Sequence, residues 1–244
     1  MTMPIWDADN PLRRVKHAYV NWALLGANIL VFAVFQSGIV FDEAVGQAVD
    51  FLFGAIPVEI LTSMQVVENV HLFPEPFTLF TYMFLHANTP HLLGNMAVLF
   101  ICGDNVEDAL GHKRYLLFYL FCGVVAGMVH VFANPTSTIP LVGASGAIAG
   151  VIGGYLVLYP RIKMWALVGV IPLRLNASWV LGWWGVSQLA ALFVAPSEKV
   201  GVWAHIGGFV LGVLLIFVMR PRAAVALQPP ISGPATPPPR PPPA

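Results

Sequence analysis

Charge is what this sequence has least of. Only 10% of its residues are charged while 57% are hydrophobic, and the mean hydropathy is +0.75. Ordinary soluble domains carry about a quarter charged residues, so this composition excludes them and reads as membrane. The 12 cations balance the 12 anions, and no basic run alternates with exposed aromatics, which leaves nothing to bind nucleic acid. Cysteine is nearly absent: Cys102 and Cys122 sit in apolar runs and form no CxxC pair, so neither a disulfide framework nor a zinc knuckle fits. A secretory signal is lacking too, because Asp7, Asp9, Arg13, Arg14 and Lys16 fill the first twenty residues with no small-residue cleavage site. No period of about twenty to fifty residues recurs, which argues against a transporter built from repeats.

Apolar runs are what the chain has in abundance. A spanning helix needs about twenty mostly apolar residues, and six segments qualify: 18–38, 90–109, 114–133, 143–159, 175–195 and 203–219. In the second, Thr89 is the expected N-cap and Pro90 the first helical residue, with Asp104, Glu107 and Asp108 read as interfacial. Charge placement supports six spans. With the N-terminus inside, eleven of the 12 cations fall in inner segments and only Lys199 falls outside.

The expected fold is an all-α membrane protein, a six-helix bundle with both termini cytoplasmic. Residues 1–17 form a cytoplasmic N-terminal segment and residues 18–220 the membrane domain. Within it, the acidic yet apolar outer loop 39–89 lies in the membrane interface. Residues 221–244 form a Pro-rich, disordered cytoplasmic tail.

Helices two, four and six then run from outside to inside, so residues near their starts share one depth. Those starts hold His91 and Asn95, Ser145, and His205. At a rise of about 1.5 Å per residue, each lies on the order of 10 Å below the outer surface. A serine among small residues, as in Gly143-Ala144-Ser145-Gly146-Ala147, serves packing more often than chemistry. An intramembrane histidine is more telling, because it is costly to keep there. A hydroxyl needs a base to become a nucleophile, and histidine is the usual one, so Ser145 and His205 at one depth meet the minimum for covalent catalysis.

Small residues recur every fourth position at Gly146, Gly150 and Gly154 and at Ala204, Gly208 and Gly212, a pattern that lets two helices approach closely. His91 and Asn95 share a helix face at i, i+4 and fit either an interhelical hydrogen-bond pair or an oxyanion hole. Ser145, near a helix N-terminus, adds its own backbone N–H. With no carboxylate at this level, the expected site is a Ser–His dyad. His71, His86 and His91 do not make a zinc site, since there is no HExxH and a spacing of five leaves His86 and His91 off one face; His86 reads as a loop hydrogen-bonder.

Taken together, these elements resemble the rhomboid family of intramembrane serine proteases. The resemblance rests on Gly143-Ala144-Ser145-Gly146, on His86 to Asn95, and on Ala204-His205-Ile206-Gly207-Gly208-Phe209-Val210-Leu211-Gly212. It implies Ser145 as nucleophile and His205 as base, with the oxyanion held by His91, Asn95 and the Ser145 N–H. It also implies single-pass membrane proteins as substrates and no metal or organic cofactor.

Two positions depart from the family's pattern. Where many members carry an aromatic packed on the catalytic histidine this chain has Ala149, leaving Trp203 or Phe209 to replace it. The outer loop has Pro74-Glu75-Pro76-Phe77 in place of a Trp-Arg pair. The alternative function is a catalytically silent member that binds membrane helices; a channel would need a central ion-binding carboxylate, and none is found. The expected location is a bacterial plasma membrane, with the site open to the outer side.

Overall fold

The computed structural model describes residues 2–6, 12–62, 64–66, 73–168, 171–194 and 201–219. The Pro-rich tail, His71 and Lys199 lie outside them. Six long helices follow the six apolar segments: α1 (Tyr19–Val31, continued by a π turn over Phe32–Gln36), α5 (Thr89–Leu110), α6 (His112–Ala133), α7 (Ser145–Leu158), α8 (Ala177–Val194) and α9 (Val202–Met219). Between α1 and α5, the outer loop folds into α2 (Glu43–Phe53), α3 (Pro57–Thr62) and α4 (Thr78–Thr81). By length and composition, Tyr19–Gln36, His112–Ala133 and Val202–Met219 can each cross a membrane, and α7 is a shorter apolar helix.

The chain is mostly helical but not all-α, contrary to the sequence expectation. β1 (Thr2–Trp6), β2 (Lys163–Val168) and β3 (Ile171–Asn176) form an antiparallel sheet in the order β1-β2-β3. In β2, Met164 and Ala166 are buried while Lys163 and Trp165 face outward, the period of two that a half-buried strand requires. Pro172, which cannot donate to a ladder, sits on the edge strand β3. A search for twenty-residue apolar runs passes over six-residue strands, which is why this sheet is missed.

α7 is buried along most of its length and packs against α9, α6 and α5. The approach to α9 is backbone on backbone. A Cβ placed on Gly208 would stand 2.0 Å from the Gly146 carbonyl oxygen, and one on Gly212 2.1 Å from that of Gly150. Gly153 adds a close approach to the Phe209 carbonyl, and a Cβ on Gly154 would lie between Phe118 of α6 at 3.1 Å and Ile216 of α9 at 3.6 Å.

The acidic end of α5 is not a solvated interface. Glu107 and Asp108 are buried, and they cap the start of α1. Glu107 accepts the backbone N–H groups of Val20 and Asn21 at 3.1 and 2.7 Å, and Asp108 accepts those of Arg13, Arg14 and Val15 at 3.1, 2.6 and 2.8 Å. The N–H groups of Val20 and Asn21 are first-turn donors that a helix cannot satisfy itself, and those of Arg13 to Val15 belong to the segment that leads into α1. The N-terminal end of α1 therefore lies beside the C-terminal end of α5.

Candidate active site

α7 is 14 residues long, about 21 Å at a rise of about 1.5 Å per residue. A bilayer's hydrocarbon core is about 30 Å thick. Such a helix is shorter than that core, and its first residue is Ser145. The connection above it is tied to the outer loop: Ala55 and Leu141 exchange backbone hydrogen bonds at 3.0 and 2.9 Å, and the Gly143 N–H donates to Tyr82 at 3.0 Å.

Gly143 shapes the turn into α7. Its φ of +132° disfavours any side chain, and an added Cβ would meet His91 Cε1 at 2.8 Å and Nε2 at 3.1 Å. The His91 ring thus lies across Gly143, next to the start of α7. On α9, His205 points at the same place, and its Nε2 stands 2.8 Å from Ser145 Oγ. The α7–α9 seam brings together two side chains 60 residues apart in sequence.

α5 begins one residue earlier than expected. Asn88 is the N-cap, its Oδ1 accepting the His91 N–H at 2.9 Å, which makes Thr89 the first helical residue and Pro90 the second. One turn below His91, the buried Asn95 presents its Nδ2 to His86 Nε2 at 2.9 Å. An amide N–H can only donate, so Nε2 of His86 accepts and its proton sits on Nδ1. Burial, followed by the neighbouring His91, pushes the His86 pKa down to about 3, which keeps this ring neutral. His86 is fully buried, its backbone N–H donating to Gln36 Oε1 at 2.9 Å, and its ring sits 5.3 Å from that of His91. It is a wall of the site, which a position in a loop gave no means of reading.

The second nitrogen of His205 also has a partner. Nδ1 lies 2.7 Å from Oε1 of Gln188 on α8, and Trp184, one turn earlier, sets its ring 5.8 Å from the imidazole. The aromatic expected from Trp203 or Phe209 comes from Trp184 instead; Phe209 packs behind it at 6.3 Å. Gln188 was detectable only as the lone amide in an otherwise apolar helix.

A hydroxyl bonded to a neutral imidazole can lose its proton as it attacks a carbonyl, and donors around the start of α7 can hold the resulting negative charge. Fold and site together define an integral membrane helical bundle with a Ser–His pair near one end. A family model for the Rhomboid domain matches residues 74–222, and the chain belongs to the rhomboid family.

Among curated relatives, RHOMBOID-like protein 1 of Arabidopsis thaliana is 30% identical over 161 residues, 61% of this chain and 36% of that protein. Rhomboid-like protease 3 of Toxoplasma gondii is 30% identical over 139 residues, 56% of this chain and 49% of that one. Putative rhomboid protease YdcA of Bacillus subtilis is 38% identical over 82 residues, 34% of this chain and 41% of that one. The chain spans about a third to a half of these relatives' length. They come from a plant, a parasite and a bacterium, and do not single out a bacterial membrane.

Proposed function

We propose that this protein is an intramembrane serine endopeptidase, hydrolysing peptide bonds within or beside the transmembrane segments of single-pass membrane proteins. The observation that carries this reading is the 2.8 Å contact between Ser145 Oγ and His205 Nε2. Packing accounts for the glycines of the seam but not for a histidine aimed at a serine at its end.

In this mechanism Oγ attacks the scissile carbonyl carbon while Nε2 takes the hydroxyl proton. The tetrahedral oxyanion is held by the Ser145 N–H, which as the first of a helix has no intrahelical acceptor, and by the side chains of His91 and Asn95. The imidazolium of His205 returns the proton to the leaving amine, releasing one fragment and leaving an acyl ester on Ser145. Water, deprotonated by the same Nε2, then attacks that ester; the acid product leaves and Oγ regains its proton. Placing α1 with its N-terminus inside opens the site toward the outer side of six spans.

The test is cleavage of a model single-pass substrate in proteoliposomes by wild type and Ser145→Ala. Cleavage by the wild type alone is the expected result, with the variant folding normally. Equal cleavage by both would remove Ser145 as nucleophile. If neither cuts and the wild type takes up no fluorophosphonate probe, the chain is a silent binder of membrane helices.

A further inference from the structure

We infer that Gln188 of α8 is a positioning residue for His205: it holds the imidazole in the one tautomer that can take a proton from Ser145. The inference rests on the Ser–His reading above and extends it to a helix outside the dyad.

A neutral imidazole carries its proton on one nitrogen only. To accept from Ser145 Oγ, Nε2 must be bare, so the proton must sit on Nδ1, where it needs an acceptor. Gln188 Oε1, at 2.7 Å, is that acceptor. The other half of the amide has a role in fixing this. Gln188 Nε2 donates to Ser187 Oγ at 3.3 Å, which turns the carbonyl toward the histidine. An inverted amide would present N–H to Nδ1 and drive the proton to Nε2, the tautomer that cannot act as base.

Gln188 and Trp184 are i, i+4 on α8, so one face of that helix supplies both the hydrogen bond and the ring contact. They border a cavity of about 240 Å³ between α8 and α9 whose walls include Leu189, Phe209 and Val210. An amide in such surroundings is costly unless bonded, and the bond it makes is strengthened there. The proton on Nδ1 stays on Nδ1 through the reaction: Gln188 accepts it as a hydrogen bond and never takes it, and it also favours the imidazolium that forms when Nε2 is protonated.

The experiment uses the full chain in proteoliposomes, with kcat and KM measured on a single-pass substrate and Ser145→Ala as the blank. Gln188→Met keeps the side-chain length and removes the acceptor; it should lower kcat about tenfold and leave KM within about twofold. Gln188→Glu puts an oxygen back at the same place and should recover most of the lost kcat. A kcat for Gln188→Met close to wild type overturns the assignment, as does an equal loss in both variants, which would mean that α8 packing alone is disturbed. A wild type no faster than Ser145→Ala overturns the dyad reading itself, whereas an active wild type with an indifferent Gln188→Met overturns only the role of Gln188. Should Gln188→Met fail to fold, nitrogen-15 spectra of the histidine-labelled wild type decide the matter: a proton on Nδ1 of His205 is expected, and one on Nε2 refutes the inference.

Discussion

Asn95 has two amide hydrogens, and one of them is already committed to His86. That bond fixes the plane of the amide, and in the proposed mechanism the second hydrogen is the one that meets the oxyanion. A donor aimed in advance needs no reorganisation when charge develops, which is the source of its catalytic value. Asn95→Ala should therefore slow cleavage by about 10²- to 10³-fold, the range for loss of one such donor. His86→Leu should produce a smaller loss, because it frees the amide without removing it. Rates for Asn95→Ala within a few fold of wild type would make the pair a structural hydrogen bond. Legibility at this scale depended on chain position. His91 and Asn95 announced a shared face through their i, i+4 spacing, and Ser145 and His205 through their equivalent places on parallel-running helices. His86 precedes α5 in a non-helical stretch where no periodicity assigns direction, and Gln188 faces His205 through a packing choice of α8 that spacing does not encode.

Between elements, the distance from Ser145 Oγ to His205 Nε2 is set by how closely α7 and α9 approach. Carbonyl oxygens of α7 occupy the space where side chains at Gly208 and Gly212 would begin. The small-residue repeat in the sequence was enough to read this contact, although it passed over Gly153, because a four-residue repeat drifts around a helix of about 3.6 residues per turn. At Gly212, two turns below His205, even a methyl group must push the helices apart, and overpacking of this kind costs about 1–3 kcal/mol. Gly212→Ala should lower Tm and reduce cleavage together, since the displacement is transmitted to Nε2 and Oγ. A Tm loss with full activity would mean that the top of the seam moves independently of its middle. The caps from Glu107 and Asp108 were not legible for a related reason: acidic residues near a span end fit a headgroup interface as well as a buried helix start, and only the fold brings residues 13–21 beside them.

Seen whole, the molecule sorts its features to two ends. One end carries Arg13 and Arg14 over the caps of α5, the sheet of β1 to β3, and Arg114, which donates to the Met219 carbonyl at 3.1 Å and so places the start of α6 beside the finish of α9. The other end carries α2 to α4, the connection 134–144, Ser145 and His205. Cations gather at the first end, in keeping with an inner location for it. Were all six long helices to cross, residues 37–88 and 160–176 would lie on opposite sides, and this can be read by cysteine labelling because Cys102 and Cys122 are both buried. Val40 and Trp165 are exposed at opposite ends and neither is charged, so replacing them leaves the charge pattern intact. In intact cells, a membrane-impermeant maleimide should label Val40→Cys, and Trp165→Cys only after permeabilisation. The reverse pattern would turn the site toward the inner side. Labelling of both from one side would mean an even number of crossings between them, and the three long helices that separate Val40 from Trp165, α5, α6 and α7, could not all be spans.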